Sequence, residues 1–472
     1  MRVIPKVFLA LVCVLPAFAE ESSRPNIVLI FADDLGYCDS ELYGCDLVPT
    51  PNMKRIADEG VLFMAGYVTA PVCSPSRAGL LTGRYQQRFG HEFLPSNDTF
   101  GFPVGETTIA DALRSTGYTT GMVGKWHLGV RDVFHPLNRG FDEYFGVIDW
   151  GSDYVNPYDE KTKRIARPSE IANPPSAEEM AAWERKGVSA VVRGTEPVTE
   201  EEYLTDALSR ESVAFINKHK NESFFLYVPY TAPHQPLQAT QKYYDRFPNI
   251  KDESTRIYAA MTSSMDDGIG TILDALEDND LEENTLVIFL SDNGAGVADY
   301  CSNKPLRLGK QTLFEGGVRV PFTMKWPAKI DAGTTYEHPV SALDILPTAM
   351  AAADGKSSVT TSGDGVDLMP FLNPSNGDRP HDELFWRSGA NWAVRSGYWK
   401  LIHAGGQDWL YDLSTDIGEK TNLVTKHPEV VKQIKASYDQ WNSEMIDPLW
   451  PPIGIKSMPN FYIDGVAVEW PV

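Results

Sequence analysis

The strongest constraint on the fold is the run Asn26-Ile27-Val28-Leu29-Ile30-Phe31, β-prone throughout and apolar after Asn26, which continues through Ala32 to Asp33-Asp34. Such a strand has no face to offer water and belongs inside a parallel sheet covered on both sides by helices. The pattern recurs. Phe224–Val228 is a second such run, leading into Ala232-Pro233-His234, and Leu286–Leu290 is a third, ending at Asp292-Asn293. Thr119–Val123 is a shorter strand before Gly124-Lys125-Trp126-His127. Helical segments lie between them: Met53–Glu59, Thr107–Thr116, Asp206–His219 and Ile257–Leu276. In Thr107–Thr116 the residues Ile109, Ala112 and Leu113 share one face. This alternation predicts an α/β fold, a large and mostly parallel sheet sandwiched by helices. Polar residues gather after the C-terminal ends of the strands, where open α/β sheets place their sites.

A chain of 472 residues exceeds one small core and suggests a large domain plus a smaller one. Arg2 and Lys6 precede the apolar run Val7–Leu15, and Ala17-Phe18-Ala19 offers small residues for cleavage before Glu20. Residues 1–19 are therefore expected to be a signal peptide, and the protein to be exported, periplasmic or extracellular. Val12 before Cys13 is a poor match to a lipoprotein box, and no other apolar stretch is long enough to span a membrane. The large domain is expected over 20–375, with a boundary in Ser357–Gly377, rich in Ser, Thr, Gly and Asp. Beyond it, Trp392–Ile402 and Trp409–Leu413 read as antiparallel strands and His427–Met445 as a helix, giving a smaller α+β subdomain over 376–472. Asp149–Val198 is long, charged and irregular, with no regular structure expected, and reads either as a functional surface loop or as a solvated excursion.

The formal charge of −22 argues against a nucleic-acid partner. A polyanionic substrate would need local Arg, Lys and His residues to overcome that field. Without the leader, Cys38, Cys45, Cys73 and Cys301 remain, and Cys38 with Cys45 is one available pairing. Asn97-Asp98-Thr99 and Asn221-Glu222-Ser223 are glycosylation acceptors in a host that glycosylates.

Several groups carry chemistry. In Pro71-Val72-Cys73-Ser74-Pro75-Ser76-Arg77-Ala78-Gly79-Leu80-Leu81-Thr82-Gly83, Pro75 suits a first helical turn, Ser74 an N-cap and Gly83 a stop. Cys73 then sits at the positive end of a helix, with Arg77 one turn on. Taken alone, this is a loop thiol before an ordinary amphipathic helix. Asp33-Asp34 and Asp292-Asn293 offer three carboxylates and an amide oxygen, a set that favours Ca²⁺ or Mg²⁺ over zinc. Either pair alone is an ordinary strand-end turn. Lys125, His127, His234 and Lys310 each have an unremarkable reading as turn, structural or surface residues.

Together these stretches resemble the type I, formylglycine-dependent sulfatases of the alkaline phosphatase-like superfamily. Pro71–Gly83 matches the activation motif, Gly117–His127 the second motif, Tyr230–Pro236 the segment of the other histidine, and Lys310–Pro321 the Lys-to-Arg-Val-Pro stretch. The resemblance runs from Asp33 into the C-terminal subdomain; Cys38 departs from it, standing where the family often has Gly. It implies that Cys73 is oxidised to formylglycine by a formylglycine-generating or anaerobic sulfatase-maturating enzyme, leaving at most one intramolecular disulfide. It implies that Asp33, Asp34, Asp292, Asn293 and residue 73 hold one divalent cation, Ca²⁺ or Mg²⁺. It implies that Lys125 and Lys310 bind sulfate, that Arg77 orients the nucleophile, and that His234 with Lys310 protonates the leaving oxygen. His127 would then act on the formylglycine hydroxyl to release sulfate from a covalent sulfo-enzyme intermediate. His91 and His135 receive no role from it; each could line a substrate pocket, and each reads first as a structural histidine. The expected substrate is a sulfated carbohydrate, with a lean to an algal polysaccharide such as a sulfated galactan. The rival readings are a phosphonate or phosphate ester hydrolase of the same superfamily and a non-catalytic sulfated-glycan binding protein. The second is expected to have lost Cys73, His127, His234 or a lysine, and all are present.

Overall fold

The computed structural model describes residues 24–95, 99–354, 363–372, 378–453 and 461–471. The expected leader, the Asn97-Asp98 acceptor and much of the expected 357–377 boundary lie outside the described residues. At the centre, the strands Thr285–Ser291, Asn26–Asp33, Phe224–Pro233, Thr119–Lys125 and Glu143–Val147 lie side by side, each parallel to the next. Antiparallel strands extend the sheet at both sides, Phe322–Lys325 on one and Val191–Arg193 on the other, for ten strands in all.

The central strand Asn26–Asp33 shows why an unbroken apolar run was needed. Ile27, Leu29 and Phe31 point into one core, while Val28, Ile30 and Ala32 point into the other. The first core is closed by the helices Cys73–Thr82, Ile109–Ser115 and Ile345–Asp354, the second by Pro51–Asp58, Leu204–His219 and Glu253–Asp278. Helix starts follow their capping chemistry. Thr108 accepts from the Asp111 amide while the Asp111 side chain accepts in return, and Asp252 accepts from the Thr255 amide.

The helix of the activation motif begins two residues earlier than its sequence suggests. It spans Cys73–Thr82, so the N-cap is Val72 and not Ser74. Ser74 lies inside the first turn, where its hydroxyl is 2.7 Å from Nε2 of buried His91 and is unavailable for capping. Gly83 does end the helix, at φ 61° with its N–H on the Gly79 carbonyl.

Two further expectations change. The 149–198 interval is not without regular structure. Thr162–Arg164 pairs with Gln238–Thr240, Pro168–Ala172 and Ala177–Ala181 form short helices, and Val191–Arg193 with Glu196–Pro197 extends the large sheet. The C-terminal sheet has four antiparallel strands, Glu383–Ser388, Asn391–Ser396, Trp399–Ala404 and Gln407–Asp412, because Gly397 at φ 56° turns the chain inside the Trp392–Ile402 segment. The helix Pro428–Asn442 covers one face of this sheet. Cys38 and Cys45 form a disulfide, and Cys73 and Cys301 are free. Among the described residues no helix is long and apolar enough to cross a membrane.

The other face of the small sheet meets the large domain through a buried ionic cluster. Lys400 Nζ lies 2.7 Å from Glu315 and 3.2 Å from Glu419. Arg319 also pairs with Glu315, which accepts the Tyr67 hydroxyl at 2.6 Å. Burial opposes ionisation of Glu315, but the charges of Lys400, Arg319 and Arg395 outweigh it and hold the carboxyl low. Burial pushes Glu419 up to about 7, aided by the Glu315 charge against the pull of Lys400.

Removing one partner of a buried charge set costs more than the set contributes, because the remaining charge is stranded. Lys400→Met is expected to lower unfolding free energy by about 3–5 kcal/mol in urea titrations. Glu419 has the opposite use as a pH reporter. Its raised folded-state value means its contribution is complete below about 4.5 and is lost as pH rises through about 7. Glu419→Gln is expected to flatten the fall in stability between about pH 5 and about pH 8.

Candidate active site

The site forms at the C-terminal edge of four adjacent parallel strands. Asn26–Asp33 delivers Asp33 and Asp34, Thr285–Ser291 delivers Asp292 and Asn293, Thr119–Lys125 delivers Lys125 and His127, and Phe224–Pro233 delivers His234. Cys73 and Arg77 come from the helix that begins beneath them. Lys310 arrives on a loop pinned by its own amide to the Ala295 carbonyl and by the Gln311 amide to the Pro71 carbonyl, both near 2.9 and 2.8 Å.

Charges alternate through the site. Asp33 Oδ2 accepts from Lys125 Nζ at 2.6 Å, with both side chains wholly buried. Arg77 Nη2 donates to Asp292 Oδ2 at 2.8 Å, lies 3.7 Å from Asp33, and sends Nη1 to the Lys125 carbonyl at 3.1 Å. Its hydrogen bonds therefore brace the Asp292 carboxylate and a strand end, with Asp33 as a longer ion pair, rather than residue 73 itself. Lys310 Nζ sits 2.7 Å from Asp34 and 3.2 Å from Cys73 Sγ. Cys73 Sγ is in turn 3.5 Å from Asp33 Oδ1 and 3.9 Å from Asp34 Oδ1.

These neighbours set the protonation states. Burial raises Asp34, but the charges of Lys310 and His234 and hydrogen bonds from Lys310 and Asn293 overcome it and hold it well below the usual range. Asp292 moves the other way, to about 6, through burial and the Asp33 charge. Burial and Asp292 push the Cys73 thiol far up, so unmodified Cys73 is held as a neutral thiol. Lys310 loses to burial but gains more from Asp34 and stays protonated. Burial and the Lys310 charge bring His234 down to about 3, and burial with Lys125 lowers His127.

His234 is held by its backbone. Nδ1–H donates to the Gln235 carbonyl at 2.6 Å, which turns Nε2 toward Asp34, 3.5 Å away. Tyr154, from the start of the 149–198 interval, donates its hydroxyl to the His234 carbonyl at 2.8 Å. His127 adopts a positive φ of 59°, and its buried Nδ1 meets no protein partner among the described residues. His91 and His135 lie outside this group. His91 packs on Trp450 behind Ser74, and His135 packs on Tyr144.

The clustered donors could hold a divalent cation. Asp33, Asp34, Cys73 and His234 present ligand atoms within 4.8 Å of one another. Asn293 Oδ1 is buried without a hydrogen-bond partner, an unmet acceptor of the kind a cation would satisfy. Asp292 lies outside that four-residue cluster, and its Oδ1 accepts the Asp34 amide at 3.1 Å.

Above these groups opens a cavity of about 530 Å³. Cys73, His127, His234 and Lys310 line its floor, while Trp150, Tyr300 and Phe461 contribute to its walls. The wall residues escaped the sequence reading because they come from three distant segments. Trp150 alone left a signal, an aromatic residue just beyond the strand Glu143–Val147.

An α/β sheet with nucleophile position, cations and clustered carboxylates at its strand ends defines a hydrolase of the alkaline phosphatase-like fold. The sulfatase family model matches residues 25–355, and the chain belongs to the sulfatase family, the sulfuric ester hydrolases. N-acetylgalactosamine-6-sulfatase of Mus musculus is 36% identical over 425 residues, spanning 86% of this chain and 78% of that protein. Arylsulfatase A of Homo sapiens is 34% identical over 463 residues, spanning 87% and 86%. The crystal structure of Ps i-CgsB in complex with k-i-k-neocarrahexaose superposes with a TM-score of 0.81 at 35% identity, covering 91% of this chain and 95% of that one.

Adding a divalent cation to chelator-treated protein is expected to raise the melting temperature, because it relieves the repulsion among Asp33, Asp34 and Asp292. Asp34→Ala is expected to abolish most of that rise in differential scanning fluorimetry.

Proposed function

We propose that this exported protein removes sulfate from a sulfated carbohydrate, with a galactose-configured sugar of an algal polysaccharide such as a sulfated galactan as the substrate class. The observation that carries the reading is the placement of Lys310 3.2 Å from Cys73 and 2.7 Å from Asp34 at the floor of an open cavity. The sugar class is supported by two relatives, one named for N-acetylgalactosamine 6-sulfate and one holding k-i-k-neocarrahexaose.

Asp33, Asp34, Asp292 and Asn293, with residue 73, would hold a Ca²⁺ or Mg²⁺ ion, which neutralises charge on the sulfate oxygens. Cys73 as encoded is a poor nucleophile, since its surroundings keep the thiol protonated. Conversion to hydrated formylglycine supplies two hydroxyls on one carbon, one to attack sulfur and one to release sulfate. The chain's own residues do the rest. Lys125 and Lys310 stabilise charge that moves onto the sulfate oxygens during transfer. Arg77 fixes Asp292 and Asp33, so that the carboxylates keep their spacing. His234 and Lys310 border the position of the leaving oxygen; Lys310 holds a proton there, and the Nδ1–H bond to the Gln235 carbonyl leaves His234 Nε2 on the side of Asp34 and Lys310. His127, neutral and with an unpartnered ring nitrogen, serves as the base for the release step.

The reading is tested by peptide mass spectrometry of residue 73 together with hydrolysis of sulfate and phosphate esters of one alcohol. Formylglycine and a strong preference for the sulfate are expected. Full activity with unmodified cysteine, or a preference for phosphate, would refute it. The two histidines are expected to fail at different steps. His234→Ala should retain relatively more activity on an activated aryl sulfate than on a sugar sulfate, because a phenolate leaves without an acid. His127→Ala should release alcohol in one burst and then stall, whatever the alcohol.

A further inference from the structure

The cavity has two chemically different ends. At its floor lie the charged groups of the site, and Lys310 is the one lysine or arginine among the described residues that line it. That charge is already engaged by Asp34 and faces residue 73. Lys125 is wholly buried beneath and committed to Asp33. The mouth is different. Trp150 is 47% exposed there, with its ring centroid 6.2 Å from that of His234 and tilted 59° to it. Val297, 55% exposed, and Phe461 add further carbon surface. An indole left open to water beside a buried imidazole is carbon surface without a protein partner to cover it.

We infer that Trp150 is the platform for the sugar ring that carries the scissile sulfate, and that the cavity admits a ring with one sulfate and rejects a ring with two. The inference rests on the carbohydrate reading above. A galactose-configured ring gathers several C–H groups on one face, and such a face packs on an indole as other apolar groups do. The first sulfate reaches Lys310 at the floor. A second sulfate on the same ring would lie against Trp150, Val297 and Phe461, where no lysine or arginine lines the wall among the described residues, in a chain of net charge −22. Desolvating an anion without a partner is strongly unfavourable. Recognition beyond the first sulfate therefore uses ring faces rather than charge.

Isothermal titration calorimetry on inactive Cys73→Ala protein, saturated with calcium, tests this with methyl galactoside monosulfates, the corresponding disulfates and inorganic sulfate. The tightest monosulfate is expected to lose about tenfold in affinity on adding Trp150→Ala, to keep most of it with Trp150→Phe, and inorganic sulfate to bind all three proteins alike. Disulfates containing that same position are expected to bind at least about tenfold more weakly than the monosulfate. Equal monosulfate affinity with and without Trp150, or disulfates bound as tightly, would overturn the inference and leave the carbohydrate reading standing. Binding of inorganic sulfate with no binding of any sulfated galactoside would overturn the carbohydrate reading and this inference with it.

Discussion

The structure depends on the confinement of three carboxylates, Asp33, Asp34 and Asp292, at one point beneath a cavity. Asp33 and Asp292 have no solvent exposure and Asp34 very little. Like charges that close together are unstable unless cations share the space. Arg77, Lys125 and Lys310 provide the counter-charge, each held by a different element. Removing any one strands a buried charge, so the helix Cys73–Thr82, the strand Thr119–Lys125 and the Lys310 loop are locked to the sheet by the site they build. Stability and chemistry draw on the same ion pairs.

The small C-terminal sheet completes this arrangement from outside. Trp386 donates its indole N–H to the Val68 carbonyl, just upstream of the activation motif. Arg387 pairs at 2.6 Å with Glu92, which directly follows His91, the residue packed behind Ser74. The Lys400–Glu315–Glu419 cluster fastens the same sheet next to Arg319. The segment bearing residue 73 is thus clamped between two sheets. Phe461, from a hairpin beyond the small sheet, reaches the cavity wall, so the subdomain shapes substrate access as well as supporting the nucleophile.

The electrostatics of the cavity are local rather than global. A chain of −22 repels polyanions at long range, and solution ions screen that field over about 10 Å. At the cavity floor and beneath it the short distances among Lys310, Lys125 and the carboxylates prevail, since low polarisability strengthens them. On the proposed carbohydrate reading, the reacting sulfate would enter that region. The remainder of a sugar would meet aromatic and aliphatic surface instead.

Much of the site was legible in the sequence because strand ends are local events. An unbroken apolar run fixes a strand buried on both faces, and the polar residue that ends it must emerge at the sheet's edge; Asp33-Asp34 and Asp292-Asn293 follow this rule, while Lys125 ends a shorter strand interrupted by Gly121 and Gly124. The family resemblance then joined them to Cys73, Arg77, His127, His234 and Lys310. Local pattern failed where a distant partner decided. Ser74 has the chemistry of an N-cap, but buried His91 takes its hydroxyl, and the helix starts at Cys73. The 149–198 interval has no period of its own, and its strands exist because Glu143–Val147 and Gln238–Thr240 offer edges to pair with. Arg77 could be placed near residue 73 by helical spacing, yet only the fold brought Asp292 within 2.8 Å to claim it. The sequence by itself determined which residues stand at strand ends and what chemistry they carry. Tertiary structure decided which of them share charge, which proton each keeps, and which aromatic residues from distant segments enclose the cavity, because those outcomes depend on distances that no single stretch of chain contains.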